Sequence, residues 1–203
     1  MNQPQRQKNA LISVTNKDGV AEFAAGLSSL GIKVISTGRT ADTIRKAGVP
    51  VTAVSTVTKF PEILDGRVKT LHWQIYAGIL ADHSKADHMR VIATEGVDPI
   101  DIVVVNLYDF EGKPSIEQID IGGPTMLRAA AKNAASVVVV VDPVDYDWVL
   151  EGLKAGGLSD RERGMLAQKV FRHTSSYDDA IAKWMAQNLN KQTPFLSVPL
   201  AGG

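Results

Sequence analysis

The chain has 203 residues, 44% hydrophobic and 22% charged, which suits one well-buried globular domain and leaves room for a second only if it is small. Lysine plus arginine equals aspartate plus glutamate at 22 each, so no global charge recruits nucleic acid or an anionic membrane, and any anion site has to be local. The sequence contains no cysteine, which excludes disulfides, thiolate catalysis and cysteine-ligated zinc and fits a cytoplasmic protein.

The polar amino end, Met1 to Asn9, lacks the apolar core of a signal peptide, and no apolar run reaches the length of a membrane span. His72, His83, His88 and His173 form no metal-binding helix motif, so neither a metal nor another cofactor is expected. Ala10 to Val14 reads as a first strand, followed by Val20, Phe23, Ala24, Leu27 and Leu30 at helical spacing with Gly31 as the stop. Lys33 to Ser36 reads as a second strand, leading into Ser36-Thr37-Gly38-Arg39-Thr40. Hydroxyls and backbone N–H groups at such a strand-to-helix turn make a common phosphate cradle. The same residues also read as an ordinary helix start closed by Thr37 or Thr40. Ala41 to Ala47 forms the helix, closed by Gly48, Val51 to Val54 a third strand, and Ser55 to Gly66 a loop.

Gly66-Arg67-Val68-Lys69-Thr70-Leu71-His72 follows, a glycine turn with two cations one residue apart before a predicted helix from His72 to Ala81. N–H groups, helix dipole and fixed cations converge there on a place for an anion, although a solvated basic turn has the same composition. The β-branched runs Ile102 to Leu107 and Ser136 to Val141 read as central strands buried on both faces. The first delivers Asn106 and Tyr108 at its carboxyl end, where open parallel sheets bind ligands. Between the two runs, Ile119-Asp120-Ile121-Gly122-Gly123-Pro124 enters a helix that continues through Thr125 to Asn133. Asp142-Pro143 opens a further helix, and Ser159 with Glu162 makes a capping box for a long last helix ending near Leu189. Its core-spaced residues are Leu166, Val170, Tyr177, Ile181 and Trp184. The whole is an α/β, Rossmann-like three-layer sandwich with a mainly parallel sheet of about five strands and carboxyl-terminal helices. Residues 1–189 form the domain, and 190–203 read as a tail or linker.

In this order, these segments resemble the IMP cyclohydrolase domain of the bifunctional purine-synthesis enzyme, a methylglyoxal-synthase-like fold. Ile12-Ser13-Val14-Thr15-Asn16-Lys17 and His173-Thr174-Ser175-Ser176-Tyr177-Asp178 add to the resemblance, which runs from about Ala10 to about Trp184. It implies closure of the pyrimidine ring of 5-formamidoimidazole-4-carboxamide ribonucleotide, with loss of water, to give inosine monophosphate. It implies that Ser13, Thr15, Lys17, Ser36, Thr37, Gly38 and Thr40 surround the ribose phosphate, and that Arg67, Val68, Lys69, Thr70, Asn106 and Leu107 face the rest of the substrate. Lys69, Tyr108, Asp120 and Lys132 complete a catalytic constellation, and the N–H groups of Ile121, Gly122 and Gly123 are placed to form an oxyanion pocket. A homodimer is implied as well.

Three positions depart from the family pattern. Arg39 and Asp109 stand where glycine and proline are usual, and Trp73 stands where proline is usual. Two other readings share the fold: a phosphate-eliminating lyase resembling methylglyoxal synthase, and a non-catalytic purine-nucleotide-binding regulatory domain. The lyase requires a Gly-Gly-Asp segment after the third strand, where this chain has Leu64-Asp65-Gly66-Arg67. A divergent cyclohydrolase acting on a related nucleotide is a third reading. The folate-dependent formyltransferase half of the bifunctional enzyme, opening on a run like Arg-Tyr-Gly-Glu-Asn-Pro-His-Gln, is not expected within these residues.

Overall fold

A computed structural model describes residues 6–189, so the expected tail over 190–203 lies outside the described residues. Five parallel strands form one sheet: β1 (Asn9–Ser13), β2 (Lys33–Ser36), β3 (Val51–Ala53), β4 (Ile102–Val105) and β5 (Val138–Val140), in the order β3-β2-β1-β4-β5. β4 and β5 are buried at every position, as their unbroken β-branched sequences require of strands covered on both sides. β1, β3, β4 and β5 each end a residue or more before the apolar run does, because the chain leaves the ladder there to build loops, whereas β2 runs to Ser36 as expected.

Helices α1 (Val20–Ser29), α2 (Gly38–Lys46) and α7 (Tyr146–Lys154) share one face, with α1 touching both α2 and α7. On the other face α4 (Trp73–Leu80) packs on α6 (Gly122–Lys132), and α6 on the long α8 (Asp160–Asn188). This is the three-layer arrangement expected from alternating strands and helices. Ser159 caps α8 by the reciprocal bonds read from its spacing to Glu162.

Three elements differ from expectation. The stretch read as a loop from Ser55 begins with a one-turn helix, α3 (Val54–Thr58), and its far part closes an antiparallel bridge between Ile63 and Val68. A further helix, α5 (Ala86–Thr94), fills a region with no predicted element; Ile92 alone in it is buried, against Ala81 and Val97, so its amphipathic signal is weak. The segment after Asp142 is a 3-10 turn, Pro143–Asp145, before α7 begins.

The order of strands reverses between β1 and β4, which opens a crevice at their carboxyl ends. Side chains fix the backbone around it. Thr40, 4% exposed, donates its hydroxyl to the Val14 carbonyl at 2.9 Å and accepts from the Val14 N–H at 3.2 Å, so α2 holds the end of β1 as a neighbouring strand would. Ser36 is fully buried and donates to the Ile12 carbonyl at 2.7 Å. Thr40→Val keeps the volume of the side chain but leaves the buried Val14 N–H unpaired and its carbonyl with Lys17 alone, a loss of about 1–3 kcal/mol. We expect thermal unfolding of Thr40→Val to show a melting temperature lower by roughly 2–4 °C for each kcal/mol lost. A melting curve superimposable on that of the parent chain would show that this bond is not holding β1.

Candidate active site

Five segments meet over the crevice: the turns after β1 and β2, the end of β4, the loop before α4 and the entrance to α6. Asn106 joins two of them. Its side-chain oxygen accepts from the Thr15 and Asn16 N–H groups at 2.6 and 2.9 Å, and its amide donates to the Asn16 carbonyl at 3.0 Å. Asn106 is therefore spent on shaping the turn after β1, as Ser36 and Thr40 are spent on β1 itself. These three were expected at the substrate; the structure assigns their polar groups to backbone. What they leave facing the crevice are the exposed Thr15, the half-buried Ser13, Thr37 and Lys17, and the first turn of α2. Thr37 precedes that helix without a side-chain cap, so the N–H groups of Gly38, Arg39 and Thr40 have no intrahelical partner.

Three cations converge here. Among the described residues Lys17 donates only to the carbonyls of Val14 and Thr15, at 2.9 and 3.3 Å. Burial holds its ammonium below the usual lysine range, and the charges of Arg39 and Lys69 push it further down. Among the described residues Arg39 and Lys69 form no ion pair. Arg39 lies in the first turn of α2 without a positive φ, and Gly38 before it takes the left-handed value of 46°. The arginine in place of glycine therefore adds charge without backbone strain. A cleft of about 360 Å³ opens beside this group, lined by Ser36, Thr37, Gly38 and Phe60 and by two cations, Arg45 and Lys69, that offset Asp42 and Glu62. A second groove of about 420 Å³ lies between α1 and α7, but Asp18, Glu22 and Asp147 line it, and their charge repels a phosphate.

The loop carrying Arg67 and Lys69 is tightly wound: Lys59, Leu64 and Asp65 all have left-handed φ near 54°, as does Gly66 at 85°. Arg67 was expected over the substrate, yet its guanidinium is paired with the Glu117 carboxylate at 2.5 Å, an exposed contact across the mouth of the crevice. Val68 is held in the bridge to Ile63, and Thr70 is 3% exposed. His72 caps α4 by accepting from the Gln74 N–H at 3.4 Å and lies beside the Phe60 ring, so its role is structural. Trp73, more than half exposed, opens α4 where proline was expected. Asp109 replaces a proline by accepting from the Gly112 N–H at 3.1 Å, which closes the short loop after Tyr108.

At the entrance to α6 the Asp120 carboxylate accepts from the Gly123 N–H at 2.9 Å and also faces the Gly122 N–H. The two glycine donors expected to form an oxyanion pocket are thus turned onto Asp120. Neither position has room for a side chain: a Cβ on Gly122 would sit 2.7 Å from the Thr70 hydroxyl, and one on Gly123 would meet Leu107 at 2.8 Å and Asp120 closer still. Burial raises the Asp120 carboxyl above the usual carboxylate range, opposed by the Gly123 N–H, by Lys69 and by the Gly122 N–H. Lys69 accordingly stands between the Lys17–Arg39 pair and Asp120, acting electrostatically on both sides.

Lys132 is not brought into this group. It ends α6, whose 11 residues rise about 16 Å from Gly122, and it is exposed at the end of that helix away from the crevice. Two residues with no assigned site role in the sequence take part instead. Tyr76, at core spacing on α4, has its hydroxyl buried toward Thr125 with no geometrically formed hydrogen bond among the described residues; burial first, and the Asp120 charge with it, push its phenol up to about 12. Tyr177, read as a core residue of α8, bonds the segment that carries Asp120.

A family profile described as "MGS-like domain" matches residues 19–125, and one described as "AICARFT/IMPCHase bienzyme" matches residues 130–201. The chain is 53% identical over 197 residues to the bifunctional purine biosynthesis protein PurH of Listeria welshimeri, and 48% identical over 200 residues to that of Mycobacterium ulcerans. These alignments cover 92% and 95% of this chain but 39% and 38% of the relatives, so the chain spans about two fifths of their length. The crystal structure of ForH superposes with a TM-score of 0.80 at 37% identity, covering 88% of this chain and 98% of that one. With the parallel five-stranded sheet, the crevice at its switch point and a match over more than half of its length, the chain belongs to the MGS-like domain family, and its residues 130–201 match the AICARFT/IMPCHase bienzyme profile.

Proposed function

We propose that this chain closes the ring of 5-formamidoimidazole-4-carboxamide ribonucleotide to inosine monophosphate. The observation that carries the reading is the placement of Lys69 between an unneutralised anion cradle and a buried carboxylate of raised pKa. The ribose phosphate fits the cradle of Thr15, Lys17, Thr37, the first-turn N–H groups of α2 and Arg39, where charge and direction are both supplied. The heterocycle then extends past Lys69 toward Asp120 and Tyr108.

The reaction joins the carboxamide nitrogen to the formyl carbon and expels the formyl oxygen as water. A carboxamide nitrogen is a poor nucleophile, so holding it against the carbon contributes several kcal/mol. Asp120 takes a proton from that nitrogen, a task its burial favours by raising its basicity, and this proton together with the one lost from the formamido nitrogen departs on the formyl oxygen as water. Lys69 stabilises negative charge on the former formyl oxygen, with Tyr108, half-buried at the end of β4, as a second donor. Arg67 reaches the substrate only by leaving Glu117. Lys132 has no part within a single chain.

Formation of inosine monophosphate from the synthetic formylated ribonucleotide, followed by ultraviolet absorbance, tests the activity directly. Lys69→Ala should lower kcat by at least about a hundredfold. Asp120→Asn, which keeps an acceptor for the Gly123 N–H while removing the base, should do the same with the melting temperature little changed. Near-normal turnover in both variants would sink the assignment.

Lys17→Ala should raise KM more than it lowers kcat, because a contact to the remote phosphate supports ground and transition states alike. It should also weaken inhibition by inosine monophosphate. If calorimetric titration shows unchanged nucleotide binding, the phosphate sits elsewhere.

We place the active unit as a homodimer. Phe60, Leu64, Trp73 and Ile121, in the segments that border the cleft, are 46%, 65%, 53% and 61% exposed, a concentration of apolar surface that self-association would cover. Light scattering at micromolar concentration should give twice the chain mass of 21.8 kDa, and a monomeric mass refutes the dimer.

A further inference from the structure

Asp120 sits in a segment with little regular structure, between the 3-10 turn Ile116–Gln118 and the first residue of α6. Its own carboxylate is committed to the N–H groups that follow it, which fixes the carboxylate relative to α6 but does not fix the segment relative to the sheet. That second constraint comes from α8. The Tyr177 hydroxyl accepts from the Asp120 N–H at 2.8 Å and donates to the Gln118 carbonyl at 2.7 Å, so one oxygen closes both backbone groups flanking Ile119. The ring is packed independently of these two bonds: Tyr177 is 7% exposed, and its ring lies edge-to-face with Phe110, centroids 6.0 Å apart, with Phe110 and Trp184 likewise at 5.6 Å.

We propose that Tyr177 is a positioning residue for ring closure: its hydroxyl, acting as donor and acceptor at once, pins the Gln118–Asp120 backbone and so sets the place and burial of the Asp120 carboxylate. This deepens the cyclohydrolase reading and rests on it for the consequence in turnover. Tyrosine is suited to the task because a neutral phenol donates and accepts through one atom, and burial keeps this phenol protonated by raising it above its ordinary value. The groups facing Asp120 are Lys69 from the loop before α4, Tyr76 from α4, Tyr177 from α8 and the Gly122 and Gly123 N–H groups of α6. Lys69 and the glycine N–H groups lower the carboxyl, whereas burial, which depends on where the segment is held, raises it and is the largest influence.

Tyr177→Phe keeps the ring and its packing on Phe110 and removes both hydrogen bonds. In that variant the freed segment admits water to Asp120, so the carboxyl is expected to titrate at lower pH, toward the ordinary aspartate value near 4. The readout is a carbon-detected NMR titration of the Asp120 carboxyl in the substrate-free protein, assigned by its loss in Asp120→Asn. With the formylated ribonucleotide, kcat should fall roughly 10- to 100-fold, as for a displaced reacting group, with KM within about threefold and the acid limb of the kcat profile moving down with the titration. Phe110→Leu serves as the structural control: it loosens the ring packing and lowers the melting temperature but leaves the hydroxyl, so Asp120 should titrate as in the parent chain. An Asp120 titration unmoved by Tyr177→Phe, or moved equally by Phe110→Leu, overturns the proposal. Because the titration needs no turnover, a parent chain that fails to close the ring sinks the cyclohydrolase reading while the pinning of Asp120 is still decided by the NMR arms.

Discussion

The bond set of Asn106 is the constraint on which the crevice depends. One carboxamide at the end of β4 satisfies three backbone groups of the turn after β1, across the point where the strand order reverses. Without it the two diverging chain ends would lose three partly buried hydrogen bonds, each worth about 0.5–1.5 kcal/mol. With it the turn is rigid, and the Lys17 ammonium is anchored on the carbonyls of Val14 and Thr15. Thr40 and Ser36 extend the same device to β1, so a polar layer holds backbone together directly beneath the cations.

That layer explains how a chain with no net charge sustains a concentrated positive site. Lys17, Arg39 and Lys69 stand close enough to depress the Lys17 pKa, and the described residues supply them no carboxylate in ion-pair contact. Their mutual repulsion is tolerated because the residues that hold them are fixed by neutral hydrogen bonds rather than by ion pairs. Arg67, the fourth cation of the region, is neutralised by Glu117 in an exposed pair of the kind worth about 0–1 kcal/mol, so releasing it costs little. The site thus combines three standing charges with one held in reserve at its rim.

The opposite wall follows a different logic. Asp120 is buried rather than solvated, and its environment is set by contacts from three separate elements: Gly122 and Gly123 below it, Lys69 beside it and Tyr177 behind its backbone. The absence of side chains at the two glycines allows Thr70 and Leu107 to close over the helix entrance. A carboxylate in such a place is more basic than in water, and the same burial keeps the Tyr76 and Tyr177 phenols neutral.

The sequence by itself determined the strands and the helices other than α3 and α5, because these rest on interactions within a few residues. Ile102–Val105 and Val138–Val140 are strands by their β-branched runs, α8 begins where Ser159 and Glu162 cap each other, and the turn after Val34-Ile35 carries its hydroxyls and glycine in plain view. Only the tertiary structure decided how each polar group is used. Ser36, Thr40 and Asn106 have the composition of substrate contacts, yet their partners lie 24, 26 and 90 or more residues away in backbone that folding brings to them. The Gly122 and Gly123 donors turn onto Asp120, Arg67 pairs with Glu117, and Lys132 is carried to the far end of its helix. Tyr177 reaches Asp120 across 57 residues, a spacing that no local period records. A hydrogen bond is fixed by two atoms in space, and where those atoms come from distant elements their meeting is settled by how the layers pack.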